Sequence, residues 1–262
     1  MHIKDRIRHF AAQGGTWNAS LDALADAAPE FIDAWLDFAG KPLRHGPLAP
    51  KTKALIGLAL NAAMTHLHED GIREHLRRAL DHGATREELV EVLQLVSVMA
   101  VHACTLGVPI LAECLALDPH QADELQRSDA RRDALRAEFE AKRGYWNPLW
   151  ETLLALDPEY FKAFIDFSAA PWLSGALEPK VKEFVYIAVA VSATHQFAPG
   201  TRIHMKNALG YGASAAELLE VMQLASAMGI QSFTVAWPLL DEAIAEHAAA
   251  GDALRPDRGE SP

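Results

Sequence analysis

Cysteine is scarce in this 262-residue chain, which carries only Cys104 and Cys114. They stand ten residues apart in one stretch of helical pattern, roughly 15 Å along its axis at about 1.5 Å per residue. They cannot bridge each other there without breaking the helix, so a disulfide framework is excluded. Positive charge is also short: 24 Lys+Arg stand against 35 Asp+Glu, a net charge of −11 with histidine neutral. No Lys/Arg stripe offsets that balance locally, so nucleic acid is not an expected partner. No window is expected to approach the ~18 uncharged apolar residues a membrane helix needs, and the opening MHIKDRIRHFAAQGG carries charges throughout and lacks the apolar core of a signal peptide. The expectation is a cytoplasmic chain with no membrane span. Strand signals are nearly missing as well. What is present is an ordinary globular balance, 50% hydrophobic and 23% charged residues, enough to bury a sizeable core.

The chain repeats itself. A shift of 129 aligns its halves without a gap, and 36 of the 97 positions from Trp17 to Glu113 are identical. Trp17-Asn18 falls on Trp146-Asn147, Thr65-His66 on Thr194-His195, and GATREELVEVLQL on GASAAELLEVMQL. Two copies at so long a period make a duplicated domain rather than a solenoid. The implied organisation is a first copy over 1–118, a connecting helix over 119–143, a second copy over 144–250 and a disordered tail over 251–262.

Each copy reads as all-α, because Ala, Leu, Glu and Arg dominate and apolar positions recur at three and four. Prolines 29, 50, 158 and 179 suit first helical turns. Thr85-x-x-Glu88 and Ser214-x-x-Glu217 have the form of capping boxes. About five helices per copy follow, with those at 85–102 and 214–231 expected near each other. The acidic and basic stretch over 119–143 reads as a solvated helix.

Histidine is distributed unequally. Copy one has His66, His68, His75, His82 and His102, where copy two has His195, Phe197, His204, Tyr211 and Gln231. His66/His195 and His75/His204 therefore answer to something both copies need, and His68 and His102 to a site in copy one alone. His75 borders the apolar stripe Ile72, Leu76, Ala79 and Leu80, so it points toward a crevice and can exchange a proton near pH 7. The competing structural readings are a packed histidine at 75 and a helix-end group at 66. A metal reading gathers His66, His68, Glu69, Asp70, His75 and His102, but no spacing matches a compact zinc motif.

GIREHLRRALDHGATREELVEVLQLVSVMAVHA and TRIHMKNALGYGASAAELLEVMQLASAMG resemble the carboxymuconolactone decarboxylase family, within the alkylhydroperoxidase D-like superfamily. The carrying pattern is a histidine, then Ala-Leu, then Gly-x-[ST]-x-x-Glu-[LI]-x-Glu-[VL]. The resemblance implies two tandem alkylhydroperoxidase D-like helical domains and a homo-oligomer, here a trimer of duplicated chains. The peroxidase branch uses Cys-x-x-Cys ahead of the histidine, where this chain has His68 and Gly71, or Phe197 and Gly200. That branch also uses a glutamate on the preceding helix, for which Glu183 is the match in copy two and Ala54 its replacement in copy one. The decarboxylase branch resembles this chain in Arg73-x-His75 and Arg202-x-His204, but differs where Gly71 and Val101-His102-Ala103 stand.

The resemblance thus implies a lyase acting on a small carboxylated lactone or keto acid, and because such a substrate supplies its own electron sink neither a cofactor nor a metal is expected. His75, His68 and His102 are the candidate acid–base groups, and Arg73 and His66 the candidate holders of the substrate carboxylate. A cofactor-free isomerase or hydratase, a peroxidase and a non-catalytic small-ligand binder are the alternatives.

Overall fold

The computed structural model describes residues 3–116 and 129–253. All described regular structure is helical. Copy one forms α1 (Ile3–Ala12), α2 (Ala19–Ala27), α3 (Pro29–His45), α4 (Pro50–Ala62), α5 (Glu69–Asp81), α6 (Arg86–Val98) and α7 (His102–Leu115). Copy two forms α8 (Ala130–Arg143), α9 (Trp150–Leu156), α10 (Pro158–Leu173), α11 (Pro179–Val191), α12 (Ala198–Gly210), α13 (Ala215–Ala227) and α14 (Gln231–Ala253). A 3₁₀ turn, Met99–Val101 or Met228–Ile230, separates the last two helices of each copy. The 129-residue shift carries α4, α5 and α6 onto α11, α12 and α13 residue for residue.

Local chemistry explains these boundaries. Prolines open α3, α4, α10 and α11 at positions where a missing N–H costs nothing. Thr85 and Glu88 close a full capping box, and Ser214 and Glu217 repeat it. Lys51 and Lys180 then pair with the boxes' carboxylates, Glu88 and Glu217. Between α4 and α5, and again between α11 and α12, the chain turns through a left-handed residue that is not glycine: Leu67 at φ 49° and Gln196 at φ 47°. That conformation costs on the order of 1 kcal/mol or more, and both copies keep it.

The compact units do not follow the repeats. One unit comprises Pro47–Ala225, the other Met1–Gly46 with Ser226–Pro262. In the larger unit α4 and α11 form the seam, with α6 packed across both: Leu55, Leu58 and Ala59 meet Val185, Val189, Val92 and Leu95. Equivalent residues face each other there, as Thr65 and Thr194 do through their hydroxyls at 3.2 Å. The buried ion pairs cross between copies, Lys182 to Glu91 at 2.9 Å and Lys53 to Glu220 at 2.7 Å. Glu91 also accepts from the backbone N–H of Ala176 and Leu177 and from the Ser174 hydroxyl, and Glu220 from that of Leu48. Burial alone would raise the Glu91 carboxyl, but these donors hold it below its ordinary range. Copy one's Val98, Val101, Cys104 and Val108 pack on copy two's Leu135, Phe139, Trp150 and Phe161. In the smaller unit Phe10, Leu21, Leu24, Ile32 and Leu36 likewise receive Phe233 and Trp237 from the end of copy two.

Several expectations need correction. Copy one has seven α-helices among the described residues, and copy two reaches seven when α8 of the connection is counted as the counterpart of α1, against about five expected. The connection is not solvated throughout: α8 buries Leu135, Phe139 and Arg143, while residues 119–128 lie outside the described residues. Of the tail, 254–262 lie outside them too. The expected absence of a membrane-length apolar run fails. Arg86–Leu115 form a 30-residue helical run long and apolar enough to cross a membrane, and Leu95 to Ala112 contain no Asp, Glu, Lys or Arg. In α7, Leu106, Ile110 and Leu111 are exposed, and α14 exposes the matching Val235, Leu239 and Leu240.

Candidate functional site

Copy two places a chain of polar groups inside the larger unit. Glu183 and Tyr186 lie three apart on one face of α11, and His204 and Asn207 three apart on the facing side of α12, a spacing that puts each pair on one helix face. The Glu183 carboxylate takes a 2.7 Å hydrogen bond at His204 Nδ1 and a 3.1 Å one from Asn207 Nδ2. Glu183 is 1% exposed and His204 7%. The Tyr186 ring stacks on the imidazole at a centroid distance of 4.5 Å. A carboxylate bound to Nδ1 fixes the ring's orientation, leaves Nε2 for chemistry and stabilises an imidazolium when one forms.

Copy one contributes to the same cluster. His102, first residue of α7, brings its Nδ1 to within 2.5 Å of His195 Nε2, and its ring lies 4.2 Å from that of Phe197. The left-handed Gln196 turns His195 and Phe197 into these positions. Gly200 makes room: a Cβ there would fall 2.6 Å from Phe197 and 3.4 Å from His102 Nε2. Burial, with His195 and His204 nearby, pushes His102 down to about 3, and burial lowers His195 as well. Both imidazoles are thus neutral at pH 7, one donating N–H to the other's lone pair.

The matching place in copy one is different. Ala54, Gly57 and Arg78 stand where copy two has Glu183, Tyr186 and Asn207. His75 lies against Gly57, where a Cβ would fall 2.2 Å from its ring, and its Nδ1 is sealed from solvent with no hydrogen-bond partner. Burial first, then Arg78, pushes it down to about 4 against the opposing pull of Glu74. His75 is therefore a neutral, densely packed imidazole. His68 caps α5, its Nδ1 accepting from the Gly71 N–H at 3.0 Å, and stacks on His66 at 5.6 Å. Burial and the neighbouring His66 lower its pKa, with Asp70 opposing. Arg73 lies on the exposed face of α5, bonded to Glu69 at 2.6 Å. The structure thus brings His66 and His68 together, keeps Arg73 at the surface, and sends His102 to His195.

Cys104 is half-buried against the core, its sulfur 3.9 Å from the Tyr160 hydroxyl. Among the described residues no group of three or more His, Cys, Asp or Glu side chains is arranged to hold a metal. The smaller unit has a surface cleft between Arg6, His9, Phe10, Leu36, Asp37 and Arg44, but Arg6 is paired with Asp33 and Asp37 and no acid–base pair lines it.

Residues 29–115 and 158–244 each match the family model described as the carboxymuconolactone decarboxylase family. The chain is also similar to a crystal structure described as a "putative gamma-carboxymuconolactone decarboxylase subunit" from Burkholderia xenovorans LB400. The two are 43% identical with a TM-score of 0.85, over 94% of this chain and 99% of that one. No curated protein matches the chain. With both halves matched and the relative nearly fully covered, the chain belongs to the carboxymuconolactone decarboxylase family, as a tandem duplication of its domain.

Proposed function

We propose that the chain is a cofactor-free acid–base enzyme acting on a small carboxylated lactone or keto acid, with its chemistry in copy two. The observation that carries this reading is the buried Glu183–His204 pair, which copy one lacks while keeping the same fold. Loss of CO₂ from such a substrate leaves a carbanion that its own carbonyl delocalises. Protonation of that carbon completes the reaction, and His204, oriented by Glu183, is the group that delivers the proton. The His102–His195 pair offers a second neutral acid–base station. The same residues serve an isomerisation, in which a proton leaves one carbon and is returned at another, or a hydration, in which water adds its hydroxyl and the imidazole delivers the proton beside the carbonyl.

Self-association belongs to this reading. The apolar faces of α7 and α14 are exposed at equivalent positions of both copies, a pattern suited to a homo-oligomer such as a trimer of duplicated chains. CO₂ release from a panel of γ-lactone and keto carboxylates, γ-carboxymuconolactone included, tests the chemistry. His204→Gln is expected to lower the rate about a hundredfold or more, as loss of a general acid does, and His75→Gln far less. A rate that survives His204→Gln refutes the assignment.

A further inference from the structure

A second cluster adjoins the Glu183–His204 pair. Arg143, the last residue of α8, is 6% exposed. Its guanidinium lies 4.5 Å over the Trp172 ring, 5.8 Å from the centroid of Tyr145 and 6.0 Å from that of Tyr186. One nitrogen donates to the Ser168 carbonyl at 3.0 Å. Burial opposes the charge, but Tyr186, Tyr145 and Glu183 together raise the pKa, so the group is a cation. The nearby Lys182 is already matched by Glu91, and Glu183 is engaged by His204 and Asn207.

Two hydrogen-bond donors in this cluster are buried without an acceptor, Arg143 Nε and the Tyr186 O–H, and the Trp172 indole N–H is turned toward the Tyr186 oxygen. Burial holds the Tyr186 phenol in its protonated, donating form. A buried donor with no acceptor is costly, and more so when charged, so two such donors, one of them on the guanidinium itself, are an arrangement the fold alone does not favour. The duplication supplies an internal control. At the positions 129 residues earlier stand Gly14, Thr16, Leu43 and Gly57 in place of Arg143, Tyr145, Trp172 and Tyr186. Copy one keeps the helices without any of these groups, so the cluster is not there to build the fold.

We propose that Arg143, Trp172 and Tyr186 form a binding site for the carboxylate of a small organic acid, beside the acid–base pair of copy two. A carboxylate is acceptor-only, and its two oxygens can take the guanidinium N–H together with the indole N–H or the phenol O–H. Tyr186 touches both centres, its ring face on His204 and its hydroxyl among the donors. The half-exposed Tyr211 ring, 6.2 Å from Trp172, marks the side nearest solvent. As the anchor of the substrate, this site rests on the acid–base reading above; its affinity for carboxylates does not.

The test is calorimetric titration of the full-length protein with levulinate, a γ-keto acid, with acetate as the minimal carboxylate and methyl levulinate as the uncharged control. Saturable binding of the two anions and none of the ester is expected. Tyr186→Phe and Trp172→Phe keep the rings and remove one donor each, and each should weaken binding about tenfold. Arg143→Lys keeps the charge but loses the fork, and should weaken it further. His204→Gln should retain levulinate affinity while losing turnover, which separates a failure of this site from a failure of the chemistry. Absence of saturable anion binding, or equal affinity in both Tyr186→Phe and Trp172→Phe, overturns the proposal. Loss of binding in His204→Gln alone overturns it too, by placing the anion on the imidazole.

Discussion

Glu91→Gln removes one charge from the most deeply buried ion pair between the copies. Lys182 and Glu91 have side chains 2% and 1% exposed, so the remaining ammonium would have no carboxylate and little water. Breaking such a pair from one side costs about 3–5 kcal/mol. At about 2–4 °C per kcal/mol for a domain of this size, the melting temperature should fall by about 6–20 °C. Glutamine still offers an oxygen to the Ala176 and Leu177 amides, so the loss reports mainly on the stranded cation. Glu220→Gln is the internal comparison: its partner Lys53 is 12% exposed, water reaches it more readily, and the cost should be smaller. Adding Lys182→Met to Glu91→Gln should recover half or more of the loss, because no buried charge then remains unpaired. Urea unfolding followed by circular dichroism measures all four proteins. A Glu91→Gln cost below about 1 kcal/mol, or one below that of Glu220→Gln, refutes the reasoning.

Acid should destabilise the fold before any carboxylate is protonated. His75 and His102 titrate near 4 and 3 when folded against about 6.5 unfolded, so the unfolded chain takes up protons first as pH falls below 6.5. Their contribution is complete above that pH and is lost as pH falls to about 4 for His75 and about 3 for His102, at no more than about 1.4 kcal/mol per pH unit for each group. Urea midpoints at pH 7, 6 and 5 should fall steadily in the native protein and less in His75→Gln; an unchanged slope in that variant would count against a neutral, buried imidazole. Leu106→Lys combined with Leu239→Lys should lower the mass measured by light scattering without loss of helicity, and an unchanged mass would place the assembly on another surface.

The helical frame was legible because its signals are local. Prolines at first turns, two capping boxes and a gapless duplication each mark positions that chain geometry dictates. The candidate site was legible only in part. Counting histidines favours copy one, but what makes an imidazole useful is its partner, and Glu183, Tyr186 and Asn207 all belong to copy two. Glu183 was reachable through its family match; its bond to His204 was not, since the loop between them hides the register. His102 reads as a copy-one residue until the crossing of α7 into copy two's territory is known. Arg143 was invisible because a helix rich in charge reads as solvated, and nothing local says that its last arginine turns inward. The run from Leu95 to Ala112, charge-free but broken by Ser97, His102 and Thr105, lies in the sequence itself and needs no structure to be seen.

The crossed ion pairs bear on how the chain can be made. Leu48 donates to a carboxylate 172 residues further on, and Leu177 to one 86 residues behind it. During synthesis copy one therefore emerges with Lys53 and the apolar face of α4 uncovered, and its helices have no finished core to enter until α11 and α13 have left the ribosome. Helices form from local contacts in microseconds or less, but docking must wait for these distant partners. Each nascent chain thus passes through a long interval as an open half, in which the complementary half of a neighbouring chain is as good a partner as its own.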